Sequence, residues 1–367
     1  MPPVELTSRE PVVILSDVLL RTRSLGEYHG SDEVLRAIFA LQDDDLAAVV
    51  QLANKHHVVI RALEPLCALM TVAGKHNFAA QLNQVISGER QRIQSALSSL
   101  ETICEGLRSE GCQFTLIKSL DHWPDLGNDL DLFADAEAAD VERIMSKRFG
   151  AKLEPRSLGD RMANKWNFAV PGLRELVEIH VGRLGQTGEH VHVARALLSR
   201  ARVESFGTFR LVVPAPEDRI ILATLQRMYR HFYLRLCDIV NTAELVERGG
   251  LDYIALRSSA SEAGIWEGVA SYLCVVSDYV RSFRGEGLPL PANVRSSARM
   301  GGAGIYYERD FLRVPIVPQA VKLYMAQLGS FLQRGDFPGS LRLSVLPCLA
   351  TAAALGQKLT GTDKGIW

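Results

Sequence analysis

The sequence predicts an α+β fold: a small mixed β-sheet core flanked by N-terminal and C-terminal helical regions. Three observations predict it. Apolar residues recur at three and four from about Ser31 to Cys112, short strand-like runs crowd the next hundred residues, and helical spacing resumes at Pro216. The expected organisation is a helical region over 1–112, an α/β core over 113–214 and a helical domain over 215–367. With 367 residues, 47% hydrophobic and 23% charged, the chain has material for a full core and for two or three domains.

The first helices are read in "DEVLRAIFALQ", "DDLAAVVQLANKHHVVIRALEPLCALMTVAG" and "ERQRIQSALSSLETICEGLRSEG", the last stopping at Gly111 as a C-cap glycine requires. At "QFTLIK", Gln113 to Lys118, a short run between glycine and a polar loop fits a buried strand. "DLDLFAD" then alternates acid and apolar residues with period two, and "AEAADVERIMSKRFG" returns to helical spacing before Gly150. "KWNFAVPGLRELVEIHVG" reads as a hairpin turning at Pro171-Gly172, and a second strand pair near "ARVESF" and "TFRLVVP" closes the region. Pro216, with Glu217 and Asp218 in the first turn, opens a helical stretch that runs to Gly249-Gly250. "RGEGLPLPANVRSS" is a loop or linker, and no internal repeat or low-complexity tract is evident.

A net charge of −1 gives no bulk electrostatic case for nucleic acid, and long nucleic acid is disfavoured as a partner. The six cysteines are scattered, with no C-x-x-C pair, and read as free thiols of a reducing compartment. "MPPVELTSREPVVIL" lacks the pattern of a secretory leader, and "SVLPCLATAAALG" is too short to cross a bilayer. A cytoplasmic protein without a membrane span is expected.

The chemistry-bearing stretch is "SLDHWPDLGNDLDLFAD". Residues two apart on a strand share a face, so Asp129 and Asp131 present both carboxylates to one side while Leu130 and Leu132 face the core. Like charges held together cost several kcal/mol unless a cation neutralises them. Hard oxygen donors on a strand suit Mg²⁺ or Mn²⁺. In "ELVEIHVG" the apolar face is Val177, Ile179 and Val181, so Glu178 and His180 share the opposite face and Glu178 adds a third carboxylate. Three carboxylates on one sheet face could hold two metal ions for an in-line phosphoryl displacement.

Other candidates are less sharp. Arg227, Arg230, His231 and Arg235 fall near one side of a helix, as a phosphate-facing stripe or a solvated face. Lys165 and Arg161 could reach a triphosphate; Asp238 fits a structural acid paired with an arginine. Asp121, His122 and Asp125 fall in a loop where solvated polar residues are the default.

In their order, "LIKSLDHWPDLGNDLDLF", "VEIHVGRLG" and "PEDRIILATLQRMYRHFYLRLCDIVNTAELV" resemble the uncharacterised nucleotidyltransferase family of the polymerase-beta-like superfamily, over roughly Phe114 to Val246. The resemblance implies a nucleotidyltransferase core with Asp129 and Asp131 as metal ligands and Glu178 as base or second-metal ligand. It places Lys118 and Ser119 where the superfamily has a glycine-serine pair that grips the triphosphate. Ser119 keeps the hydroxyl, and Lys118 brings a point charge in place of the glycine. Lys165, His180, Arg227, Arg230 and His231 would join them on the nucleotide.

The expected activity is metal-dependent transfer of a nucleoside monophosphate from an NTP to a hydroxyl on a small molecule, a peptide or protein, or an RNA end. One alternative, motivated by the missing glycine, is a catalytically degenerate binding module of the same fold. Another is a D-x-D glycosyltransferase, which would need a glycine-rich doubly wound half before the acidic pair. The N-terminal helices would select the acceptor or pair two copies in a homodimer.

Overall fold

A computed structural model describes residues 10–22, 30 and 32–360. Most of the "MPPVELTSREPVVIL" stretch, on which the expected lack of a leader rests, lies outside them. Five helices come first: α1 (Pro11–Arg21), α2 (Asp32–Phe39), α3 (Asp43–Lys55), α4 (Val59–Val72) and α5 (His76–Ser109). Acidic residues open α2 and α3, where the helix dipole favours negative charge, and Asp45 accepts the backbone N–H of Gln42. α1 packs on a later helix, with Ser16 Oγ 2.7 Å from Tyr279 Oη.

The core follows as β1 (Gln113–Leu116), β2 (Asp129–Asp135), α6 (Ala138–Phe149), β3 (Lys152–Leu153), α7 (Leu158–Ala163), β4 (Lys165–Ala169), β5 (Leu176–Val181), α8 (Val191–Arg200), β6 (Arg202–Phe206) and β7 (Phe209–Val213). Gly150 ends α6 at φ +61°, a left-handed cap suited to glycine. The main sheet has five strands in the order β1-β2-β5-β4-β3. β2 and β5 run parallel, and the other neighbours are antiparallel, so the sheet is mixed. β6 and β7, the second strand pair expected of the sequence, form their own two-stranded ribbon packed against β1 and α5.

The last part contains α9 (Pro216–Gln226), β8 (Tyr233–Leu234), α10 (Leu236–Glu247), α11 (Tyr253–Glu262), α12 (Trp266–Arg284), α13 (Ala292–Ser297), β9 (Tyr306–Glu308), β10 (Phe311–Arg313), α14 (Val321–Gln333) and α15 (Phe337–Thr360). The single long helix expected after Pro216 is interrupted. α9 widens into a π turn over Arg227–His231, Phe232 takes φ +55°, and β8 then pairs with β10. One continuous apolar cluster runs from Val12 on α1 through the sheet to Leu323 on α14.

Among the described residues no strand precedes Gln113, so the doubly wound half required by the glycosyltransferase alternative is not found there. No described helix is long and apolar enough to cross a membrane.

Candidate metal centre

Register assembles the site. In the parallel pair β2–β5, Asp131 lies opposite Glu178 and Phe133 opposite His180. In the antiparallel pair β5–β4, Glu178 lies opposite Asn167 and His180 opposite Lys165. Because side chains alternate, Asp129, Asp131, Glu178, His180, Lys165 and Asn167 share one face of three adjacent strands. Val177, Ile179, Leu130 and Leu132 are fully buried on the other and anchor that face to the core.

Side chains of Asp131, Glu178 and His180 offer donor atoms within 4.8 Å of one another. His180 Nε2 is 2.8 Å from Glu178 Oε1, and its Nδ1 is buried without a hydrogen-bond partner. Asp129, at the exposed start of β2, stands outside this trio. Crowding of its carboxyl in the cleft, then repulsion from Asp131 and Glu178, raises its pKa to about 6.

Two lysines share the acids' charge. Lys118 Nζ lies 2.7 Å from Asp131 Oδ1, 3.7 Å from Glu178 Oε1 and 3.5 Å from His180 Nε2. Lys165 Nζ lies 3.0 Å from Glu178 Oε2 and 2.9 Å from Asp160 Oδ1. Burial works to raise the Glu178 carboxyl, but Lys118, His180 and Lys165 outweigh it and hold the group well below the usual carboxylate range. Burial likewise opposes the Lys165 ammonium, and Glu178 and Asp160 together leave its pKa raised. The carboxylates expected to need an external cation have two ammonium groups of the chain's own beside them.

Lys118 is held in an uncommon backbone conformation. At φ +62° and ψ −55° it forms the centre of a positive-φ γ-turn closed by Ser119 N–H donating to Ile117 O at 2.6 Å. Such a turn is strained for a residue with a Cβ, by roughly 1–3 kcal/mol. The position expected to lack glycine does have a backbone of the kind glycine adopts freely.

Ser119 is turned away from the cleft. Its Oγ accepts the Asp131 N–H at 2.7 Å and donates to Asp129 O at 3.2 Å, and the side chain is buried. The hydroxyl bridges the turn to β2, fixing where the two aspartates start.

The basic stripe is divided by the π turn. Arg227 is 1% exposed and its Nε lies 2.7 Å from Asp238 Oδ2, the arginine–acid pair expected of Asp238; its guanidinium belongs to the interior and not to the cleft. Arg230 lines the cleft beside Lys165, His180 and Gln186. His231 stacks near Tyr233, with its pKa lowered to about 2 by burial and then by Arg230 and Arg227. Arg235 donates to His57 Nε2 at 2.7 Å, outside the helix.

The loop expected to be solvated is packed. Asp125 is 1% exposed and accepts the Ile60 and Arg61 N–H groups at the start of α4, while Arg61 Nε adds a third bond at 3.0 Å. His122 stacks on His57, and Asp121 pairs with Arg219 at 3.2 Å. The reason is non-local: a carboxylate at a helix N-terminus satisfies orphan backbone donors that no residue of α4 itself reaches.

A cavity of ≈ 220 Å³ adjoins Lys118, with Trp123, Phe206, Arg219, Asn241 and Tyr272 among its walls. A larger one, ≈ 790 Å³, lies by α1 and α10, but Glu244 and Glu247 there are paired with Arg248 and Arg284. The smaller cavity meets the site through Lys118, and two smaller pockets beside it are lined by His180 and Arg230. Asp160 was missed in the sequence, although Ser157 and Asp160 bond each other's backbone N–H as a Ser-x-x-acid capping motif, a readable signal. Asn167, opposite Glu178 on the same face, carries no signal of its own.

No protein-family model matches the chain, and no curated protein is similar to it in sequence. Solved structures that match include an antigenic nucleotidyltransferase-like protein from Paracoccidioides brasiliensis, similar over 46% of this chain and 87% of its own at 12% identity, with a TM-score of 0.32.

Proposed function

We propose that the protein is a metal-dependent nucleotidyltransferase that passes a nucleoside monophosphate from an NTP to a hydroxyl-bearing acceptor. The observation that carries this reading is the register of β2 on β5, which sets Asp131 beside Glu178 with His180 one step along the same face. Two carboxylates and an imidazole fit Mg²⁺ or, with the nitrogen donor included, Mn²⁺. A divalent ion there would neutralise charge on the transferring phosphoryl group and activate the attacking hydroxyl.

The residues' own tasks follow from their contacts. Glu178 has both oxygens engaged, by His180 and Lys165, so it is a positioned anion and ligand in preference to a free base. Asp131 and Asp129 complete the acidic face. Arg230 and Lys165 sit where a triphosphate reaching this face would lie, and Lys118 can pass its charge to a phosphate oxygen. The cavity walled by Trp123, Phe206 and Asn241 suits a small acceptor, with a peptide, a protein or an RNA end as the other options. The protein partner, if any, and a homodimer through the N-terminal helices belong to the same proposal.

The test is pyrophosphate release from each NTP with Mg²⁺ or Mn²⁺ and fractionated small-molecule acceptors. Asp131→Asn should lower turnover by roughly 10³-fold, the equivalent of several kcal/mol of lost charge stabilisation. Undiminished release by that variant would sink the reading. Metal-independent nucleotide binding without release would favour the degenerate module, for which the two internal lysines are the specific support.

A further inference from the structure

The Lys118 ammonium occupies the position among Asp131, Glu178 and His180 that a metal ion would take, at 2.7, 3.7 and 3.5 Å from one donor atom of each. Those are the same three side chains whose donors converge within 4.8 Å. An ammonium and a divalent cation cannot share that space, since the like charges would repel at contact distance.

We propose that Lys118 is a tethered counter-ion that holds the acidic face together before metal binds and must withdraw for the metal to enter, making divalent-ion affinity a competition with the chain's own lysine. This rests on the nucleotidyltransferase reading and adds to it a residue that gates the metal. Lys118 is a positioning residue here, acting through the carboxylates it releases.

Two further observations fit the role. The side chain is partly accessible, 16% exposed, and lies between the acidic trio and the ≈ 220 Å³ cavity, whose wall it also forms. Its flexible stem therefore has space into which the ammonium can move. The backbone that carries it is the strained γ-turn, so a lysine is kept at a position where glycine would relieve the strain. Lys165 differs in its contacts and its backbone: it is bound to Glu178 on one side and Asp160 on the other, holds Glu178 by Oε2 where Lys118 and His180 approach Oε1, and sits on the regular strand β4.

The energetic consequence is an exchange. A metal entering the wild-type site breaks the Lys118–Asp131 contact and gains its own bonds to the same oxygens, so part of its binding free energy is spent on displacement. Removing the lysine charge eliminates that term and leaves the carboxylates unneutralised, which favours a cation further.

The experiment is titration of the full chain with MnCl₂ alone, without nucleotide, following free Mn²⁺ by electron paramagnetic resonance. Wild type, Lys118→Met, Lys118→Gly, Lys118→Arg and Asp131→Asn are compared, with circular dichroism and melting curves recorded for each. Lys118→Met and Lys118→Gly should bind Mn²⁺ at least about tenfold more tightly than wild type, a difference of 1.4 kcal/mol. Lys118→Arg should stay near wild type, and Asp131→Asn should lose the site. Lys118→Gly suits the positive φ, so it keeps the test valid if the methionine variant folds poorly. Equal Mn²⁺ affinity in wild type and both neutral variants would overturn the gating role while leaving the metal reading intact. Absence of Mn²⁺ binding in every folded variant would overturn the metal reading and the gate with it.

Discussion

Two groups of buried charge stand near each other in this molecule and are built differently. In the interior cluster the charged and polar groups pair across the fold, Arg227 on Asp238, Arg61 on Asp125 and Asn241, Asn241 on His122 and Arg235 on His57, although Arg227 Nη1 and Arg235 Nε are buried without a hydrogen-bond partner. His56 accepts the Leu236 N–H on Nδ1 and donates from Nε2 to Asp310 O, which fixes its tautomer. On the sheet face one ammonium lies between Asp131 and Glu178 and beside His180, whose Nε2 donates to Glu178 and whose buried Nδ1 has no hydrogen-bond partner. The interior pairs join distant parts of the chain, whereas the sheet-face ammonium lies within reach of two carboxylates and can exchange one for the other. The second arrangement is the one that the proposed cation would displace.

The joint should respond to substitution through stability. Arg227→Ala leaves Asp238 as a buried uncompensated charge and should cost about 3–5 kcal/mol, read by chemical denaturation. Replacing both, Arg227→Met with Asp238→Leu, should recover most of it. A loss in nucleotide affinity with unchanged stability would instead place Arg227 in the cleft and break the comparison.

The same joint should be sensitive to acid. Burial, and then Arg235, lowers His56 to about 4 and His57 to about 3, and burial with His57 and Arg61 holds His122 well below the ordinary value. Their folded pKa lies below the unfolded 6.5, so the unfolded chain takes up protons first. The histidines' contribution is complete above pH 6.5 and is lost as pH falls toward 3, on the order of a few kcal/mol in total. Melting temperature measured from pH 7 to 4 should fall, and less steeply in His57→Gln. A flat profile in wild type would contradict the assignment of these histidines as buried and neutral.

A smaller effect sharpens the boundary between the two regions. Ser119→Ala removes the bridge from the γ-turn to β2 and leaves the Asp131 N–H without its acceptor, at about 1–3 kcal/mol. Because the hydroxyl points at the backbone, triphosphate affinity in the folded variant should change little. A selective loss of affinity would return Ser119 to the phosphate grip that the resemblance implies.

The shared face of Asp129, Asp131, Glu178 and His180 was legible because strand periodicity is local and period two needs no partner. So were the helices before Gln113 and the hairpin that turns at Pro171-Gly172. The return of Lys118 onto Asp131 was not, since it depends on a γ-turn whose positive φ no lysine signals. Arg227 and Arg230 read as one stripe because helical spacing assumes a regular helix, whereas a π turn runs through Arg227–His231 and the chain then leaves the helix to pair β8 with β10, far along the sequence. Asp125 looked like a loop residue because its partners lie on α4, more than sixty residues away in sequence. Sequence pattern gives faces; partners across the fold decide which charges are free.

Titration calorimetry asks directly whether the sheet face binds a metal–triphosphate, as proposed. ATP, GTP, CTP and UTP would each be titrated with and without Mg²⁺ into wild type and the Asp129→Asn/Asp131→Asn double variant. The prediction is Mg²⁺-dependent binding of at least one triphosphate by wild type and none by the folded double variant. Binding of equal strength in both proteins, or by no nucleotide in well-folded wild type, would contradict it.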